Sequence, residues 1–112
     1  KGADTKNWLE TSCSCLFAYT VSKGIRMGYI DEKYIQNVII AFEGIKKMLS
    51  FEENHVFINN ICVGTGVGNY EHYINRPTTV NDLHGSGAFL LAMAEIYKLL
   101  NLIDKNDSVK LK

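Results

Sequence analysis

The segment from residue 84 to 103 limits most strongly what this chain can fold into. Its apolar side chains point to nearly every side of a helix over the first three turns, and either Asn81 or Asp82 can cap its start. Such a helix must be buried on more than one side. A chain of 112 residues buries only roughly two thirds of the surface that its unfolded form exposes. The sequence therefore predicts a slice of a larger helical assembly, or a chain that pairs with itself.

Two earlier segments also have helical periodicity. Apolar side chains recur near the helical period from residue 11 to 27, and Gly28 follows where helices commonly end in a left-handed residue. Asp31 can cap a second helix at 32–49, which carries one apolar stripe. The stripe consists of Ile35, Val38, Ile39, Phe42, Ile45 and Leu49. The prediction is an all-α fold of three to four helices, and the polar residues 104–112 are expected to form a flexible tail.

The connection between the second and third helices contains a β signature. Two short runs rich in β-branched residues, 55–58 and 61–63, flank Asn59 and Asn60, which tolerate a positive φ. This pattern predicts a small β-hairpin. The glycine-rich residues 64–68 lack the spacing and the directly following helix of a dinucleotide-binding loop, so we expect only a sharply bent backbone there.

The charge balance argues against two classes of partner. The 12 Lys and Arg residues balance the 12 Asp and Glu residues. Nucleic acid and anionic membrane surfaces are bound by basic proteins, so neither partner is expected. No apolar run reaches the ~20 residues of a membrane-spanning helix, and no secretory leader is visible. The sequence starts at Lys1 without a methionine, which leads us to expect further residues upstream.

The cysteines and histidines do not suggest a metal site. Cys13 and Cys15 point about 200° apart on a helix, and an odd count of 3 cysteines argues against a disulfide framework. The histidines, His55, His72 and His84, add no pair at metal-ligand spacing. We therefore expect free thiols and no metal.

Two stretches of the sequence resemble one group of enzymes. Residues 7–31, NWLETSCSCLFAYTVSKGIRMGYID, are similar to the signature of the unsaturated rhamnogalacturonyl and unsaturated glucuronyl hydrolases, glycoside hydrolase families 105 and 88. Residues 61–95, ICVGTGVGNYEHYINRPTTVNDLHGSGAFLLAMAE, resemble a second motif of the same families. Cys13 and Cys15 depart from the small residues usual there. The resemblance implies that residues 1–103 are the C-terminal portion of an (α/α)6 barrel, packed on the rest of that barrel or on a second copy.

The resemblance also implies an activity. Enzymes of these families release a terminal unsaturated uronic acid from oligosaccharides of pectin or glycosaminoglycan. An aspartic acid protonates the enol-ether double bond, water adds at the neighbouring carbon, and the hemiketal opens, unlike the usual two-carboxylate displacement. No metal or nucleotide cofactor is implied. The catalytic aspartates are expected upstream of Lys1, so these residues alone are expected to be inactive. The compartment stays open between cytoplasm and periplasm.

Five residues are candidates for binding the substrate or supporting its site: Glu10, Thr11, His72, Tyr73 and His84. His72 and Tyr73 lie in a connection, where their ring groups suit hydrogen bonds to sugar hydroxyls or to a uronate carboxylate. Glu10, beside Thr11, either caps a helix or points towards the barrel mouth. His84 either bonds locally at a helix start or lines the site.

Two further polar residues of this region are interpreted as structural. Arg76 could pair with a carboxylate through both arms of its guanidinium, but it precedes Pro77 in an extended stretch and is expected instead to be solvated surface. Asp82 is expected to accept hydrogen bonds from the exposed backbone at a helix start.

One alternative function fits the same motifs. A truncated or degenerate relative of these enzymes would bind carbohydrate without catalysis, or self-associate through its apolar faces. A general helical scaffold would explain the helices but not the two-part resemblance.

Overall fold

The computed structural model describes residues 4–110 of the chain. Within these residues, α-helices alternate with short strands, and one turn of 3₁₀ helix joins the first two helices. The helices are α1 (Thr11–Arg26), α2 (Ile35–Lys46), α3 (Tyr70–Ile74) and α4 (Leu83–Lys110), and the strands are β1 (Leu49–Glu52), β2 (His55–Ile58), β3 (Ile61–Cys62) and β4 (Thr78–Thr79). A mostly helical fold with a small antiparallel hairpin is confirmed.

Helix α1 matches the predicted 11–27 to within one residue. Glu10 is its N-cap, and the Glu10 carboxylate accepts a backbone N–H of the first turn. The helix ends as predicted, because Gly28 takes a left-handed φ of 76°. The backbone N–H groups of the next two residues then donate to the Gly24 carbonyl, which closes the end of the helix.

Helix α2 begins later and ends earlier than predicted. Asp31 is a cap, but it caps the 3₁₀ turn Glu32–Tyr34 rather than an α-helix. The predicted apolar stripe faces the core as far as Ile45, which is buried. Leu49, its last member, lies in β1 instead, because residues 49–52 gain a full ladder of backbone pairs with β2.

The strands pair differently from the predicted hairpin. β2 pairs with β1 and β3 pairs with β4, so the expected pairing of 55–58 with 61–63 is wrong. Asn60 does take a positive φ, 57°. However, the carbonyls of Asn59 and Asn60 accept hydrogen bonds from Thr11 at the start of α1. The asparagine pair therefore carries the chain from one two-stranded sheet to the other instead of reversing it.

Of the two candidate caps of α4, Asp82 is the cap. Its carboxylate accepts the backbone N–H of His84 at 3.2 Å. Asn81 has a different role: its side-chain oxygen accepts the Ile58 N–H at 2.7 Å, and its own N–H donates to the Ile58 carbonyl. Asn81 thus ties the end of β2 to the entry of α4.

The core lies where α1 and α4 pack together, with α2 against α1. Helices α1 and α4 both begin beside β3, since Thr11 of α1 bonds to the residue before that strand and Gly85 of α4 faces Ile61. Arg26, at the end of α1, pairs with Glu95 further along α4, so the two helices run in the same direction. The buried apolar residues of this cluster are Cys15, Ala18, Ile25, Val38, Ile45, Ala88, Ala92, Ile96 and Leu99.

Helix α4 keeps much of its apolar surface exposed. Leu90 and Tyr97 are 67% and 69% exposed, so within the described residues only one side of the helix is covered. By length and composition, residues 83–106 could cross a membrane, contrary to the expectation from sequence. A core helix of a soluble protein has the same composition, and α4 buries the side that carries Ala88 and Ala92.

The end of α4 also lies beyond its predicted position. The helix continues past residue 103 to Lys110. Leu111 and Lys112 lie outside the described residues. The flexibility of 104–112 stays a prediction.

Candidate functional site

The five candidate residues lie near one end of the packed helices. Thr11 and His84 are in the first turns of α1 and α4, Glu10 precedes α1, and His72 and Tyr73 belong to α3. A cleft of about 290 Å³ opens at this end. Its lining includes Glu10, Ser12, Cys62, Thr65, Arg76 and His84. Two of the five candidates therefore line the cleft directly.

Glu10 joins the start of α1 to β3. Its carboxylate accepts the backbone N–H groups of Cys13 at 2.6 Å and Cys62 at 2.9 Å, and the Ser12 hydroxyl lies 2.8 and 2.9 Å from its two oxygens. Burial raises the pKa of the Glu10 carboxyl, but these hydrogen bonds outweigh burial and leave the pKa below its usual value. The group is thus an ionised cap whose oxygens already have donors, and it is poorly suited to act as a general acid.

The Glu10→Gln variant should lower the free energy of unfolding by about 1 kcal/mol, because the amide keeps one acceptor and places donors against a backbone N–H. Urea titration measures the change. Glu43→Gln is the matched control: Glu43 is exposed and forms an ion pair with Lys46, so the loss of stability should stay within about 0.5 kcal/mol. Equal losses for the two variants would contradict the joining role of Glu10.

Thr11 is a buried residue that supports the site by joining α1 to the segment before β3. Its side chain is 1% exposed. Its hydroxyl donates to the Asn59 carbonyl at 2.6 Å, and its backbone N–H donates to the Asn60 carbonyl at 3.0 Å. The hydroxyl is therefore occupied in holding α1 to the chain segment that enters β3.

His72 and Tyr73 hold the glycine-rich loop that borders the cleft. His72 Nε2 lies 3.2 Å from the Thr65 hydroxyl, and the Tyr73 hydroxyl accepts the Gly68 N–H at 3.3 Å. The two rings meet edge to face with their centroids 5.3 Å apart. His72 is exposed and Tyr73 is half-buried, so both rings keep some surface in solvent.

His84 lies at the cleft and also bonds locally at the start of α4. It lines the cleft with Glu10, and its Nδ1 contacts the carboxylate of Asp82. Asp82 therefore caps the backbone of α4 and also orients the imidazole ring.

Arg76 is half-buried rather than solvated, contrary to the expectation from sequence. Its guanidinium carbon lies over the rings of Trp8 and Tyr73, 5.2 and 5.3 Å from their centroids. Its Nε donates to the Tyr73 carbonyl at 3.0 Å. Trp8 is fixed in turn, because its indole N–H donates to the Ile74 carbonyl at 3.2 Å. The sequence indicates this cluster only weakly: Arg76 follows Tyr73 by three residues, and Trp8 is the single tryptophan of the chain.

The chemistry of the cleft suits binding. Cys62 is a buried free thiol, and burial, followed by the nearby Glu10, raises the pKa of the Cys13 thiol, which keeps that thiol protonated and weakly nucleophilic. Among the described residues, no group of three or more His, Cys, Asp or Glu side chains is placed to hold a metal ion. The cleft therefore offers a cation, an imidazole and hydroxyl groups rather than a pair of free carboxylates.

Comparison with known proteins gives consistent matches. The family model described as Glycosyl Hydrolase Family 88 matches residues 1–100. A glycoside hydrolase of family 105 from C. acetobutylicum ATCC 824 is similar with a TM-score of 0.79 and 30% identity, over 88% of this chain and 30% of that one.

Two further solved structures are each described as a possible family 105 member. The one from Salmonella enterica serovar Paratyphi A has a TM-score of 0.74 and 30% identity, and the one from Klebsiella pneumoniae has a TM-score of 0.72 and 26% identity. Each match covers 89% of this chain. The chain spans 25–30% of the length of the three structures.

Proposed function

The chain belongs to glycosyl hydrolase family 88, and from that premise we propose that it forms part of an enzyme that releases a terminal unsaturated uronic acid from oligosaccharides of pectin or glycosaminoglycan. In this proposal residues 1–103 are the C-terminal portion of an (α/α)6 barrel. The parallel packing of α1 and α4 supports it, because neighbouring helices of one barrel ring run in the same direction. The catalytic aspartates then lie outside these residues, and this chain alone is inactive.

One observation carries the proposal. In a chain whose residues 1–100 match the family, the polar side chains of the candidate site gather where α1 and α4 both begin. Polar groups at one end of packed helices, set on strands and caps that hold them, are the usual arrangement of a binding site on a rigid scaffold. Glu10, Thr11, His72, Tyr73 and His84 are proposed to line this end or to support it.

The proposed reaction is hydration of the sugar double bond. An acid protonates one carbon of the enol ether, water adds to its neighbour, and the resulting hemiketal opens to free the leaving sugar. No redox change occurs, since the water supplies both the added hydroxyl and the proton that returns to the acid. The residues described here would hold the oligosaccharide while groups elsewhere in the barrel transfer the proton.

The test is an assay of the full-length protein on an unsaturated uronide disaccharide. The ultraviolet absorbance of the conjugated double bond should fall as the sugar is released, and the saturated disaccharide should remain intact. The His72→Ala variant should lower kcat/KM by about ten-fold, because it removes the hydrogen bond to Thr65 that holds the loop bordering the cleft. A full-length protein that leaves the double bond untouched would show that the proposed activity is wrong.

A second candidate function is favoured by the exposed apolar side chains. Phe17 of α1 is 55% exposed, and Leu90 and Tyr97 of α4 are more exposed still. A non-catalytic relative would use these faces to self-associate, or would bind carbohydrate at the same cleft. Mass spectrometry of the purified protein distinguishes the two candidate functions. Self-association would be favoured if the denatured sample contains the 12.6 kDa chain without a larger product of the same gene, and if the native sample has the mass of a dimer.

A further inference from the structure

We propose that Arg76 binds a carboxylate of an acidic sugar in the bound oligosaccharide. This inference rests on the proposed function, and it names the residue that would recognise the charge of the substrate. The Arg76 guanidinium is oriented by Trp8 and Tyr73, and several of its N–H groups remain available to a ligand.

The guanidinium group of Arg76 is fixed in place. Its carbon lies 5.2 Å from the centroid of the Trp8 ring and 5.3 Å from that of Tyr73. Its Nε donates to the Tyr73 carbonyl. The plane of the group is therefore set before any ligand arrives, which reduces the entropy lost when a ligand binds.

The remaining donors of Arg76 have no acceptor within the part of the chain that the structure describes, since Nε makes its one hydrogen bond there. The residue lines the cleft that Glu10 and His84 also line, and it borders a second cleft beside Trp8. The outer edge of a guanidinium matches the two oxygens of a carboxylate. Arg76 can therefore accept a ligand carboxylate without giving up an internal partner.

The neighbouring acidic groups do not occupy Arg76. The Glu10 carboxylate is engaged by the N–H groups of Cys13 and Cys62 and by the Ser12 hydroxyl. The Asp82 carboxylate is engaged by His84. Both charges are thus met by local donors, and Arg76 is the cation left available to a ligand in this cleft.

The same geometry determines what Trp8 and Tyr73 do. The guanidinium lies over one face of each ring, so these aromatic residues orient Arg76. Recognition at this position is then electrostatic and directional, and it favours an acidic sugar over a neutral one of the same shape.

The test is isothermal titration of the full-length protein with galacturonate and with its uncharged methyl ester. The wild-type protein should bind the acid about ten-fold to one-hundred-fold more tightly than the ester. Arg76→Gln should bind the two ligands with equal affinity, and Arg76→Lys, which keeps a charge without the planar fork, should retain part of the preference. Lys47→Gln removes an exposed charge after α2 and should leave the preference unchanged.

Two outcomes would overturn the proposal: a wild-type protein that binds acid and ester equally, or an Arg76→Gln protein that keeps the wild-type preference. Thermal unfolding checks that the Gln variant is folded, and the Lys variant serves if it is not. Unsaturated disaccharides esterified on one sugar or the other show whether the carboxylate belongs to the terminal uronic acid or to the next sugar. Because binding is measured without turnover, the difference in affinity between acid and ester can be interpreted even if the protein lacks the proposed activity.

Discussion

Replacing Arg26 with methionine should lower the free energy of unfolding by about 3 kcal/mol. Glu95 is only 6% exposed, and the Arg26 guanidinium donates to its two oxygens at 2.8 and 3.3 Å. Methionine preserves the apolar stem but leaves the buried carboxylate with Lys98 alone, 3.2 Å away and 55% exposed. Urea titration followed by circular dichroism measures the change.

Two variants identify the cause of that loss. Lys98→Met should cost less than about 1 kcal/mol, because an exposed ion pair contributes little. The double variant Arg26→Met/Glu95→Leu should recover most of the stability, since it removes both charges from the contact between α1 and α4. An Arg26→Met loss below about 1 kcal/mol would mean that the pair does not stabilise this contact.

The same pair makes stability depend on pH. The hydrogen bond from Arg26 outweighs burial and holds the pKa of the Glu95 carboxyl below its ordinary value of 4.5. The folded state therefore binds this proton less readily than the unfolded state, so the contribution is complete above about pH 4.5 and is lost as the pH falls through the lowered value. Acid titration of unfolding should show a shallower loss in Glu95→Gln than in the wild-type protein.

Substituting Gly85 with valine is expected to cost about 3 kcal/mol as well. A Cβ at this position would lie 2.5, 2.6 and 2.7 Å from three atoms of the Ile61 side chain. Ile61 is fully buried in β3, so it has no space into which to withdraw. The substitution should push β3 away from α4, lower the melting temperature and weaken ligand binding at the cleft.

Gly87→Val is the matched control for Gly85→Val. Gly87 is exposed on the same helix, and apart from its neighbours in that helix no atom of the described residues would lie within 4 Å of a Cβ there. The free energy of unfolding should therefore change by less than about 0.5 kcal/mol. In an Ile61→Ala background, Gly85→Val should cost less by about 1–3 kcal/mol, the coupling expected of residues in contact. Equal costs at the two glycines would rule out the clash.

The parts of the fold that depend on local chemistry could be predicted from the sequence. Helix α1 was placed to within one residue because its apolar period and Gly28 act over a few residues. The exposed apolar side of α4 agrees with its all-round apolar pattern. Asp31 and Asp82 both cap, because a short carboxylate satisfies a nearby backbone N–H in any context.

The parts that depend on distant partners could not be predicted. The run 55–58 has the same β signature whether it pairs with the residues before it or after it. The bonds of Asn60 to α1 and of Asn81 to β2 are among the distant contacts that favour the observed pairing. The position of Arg76 is not predictable for the same reason: its contact with Trp8 joins residues far apart in the chain, and no local sequence pattern indicates it.

The tie between the start of α1 and the middle of the chain also affects how the protein is made. Trp8 bonds to a residue 66 positions later, Glu10 to one 52 positions later and Thr11 to one 48 positions later. During synthesis α1 leaves the ribosome before β3 and α3, so it cannot form these contacts until both have followed. The conformational entropy of these long loops is lost before the contacts that close them contribute any stability. This mostly helical chain should therefore fold at the pace of a mixed α/β domain rather than that of a simple helical bundle.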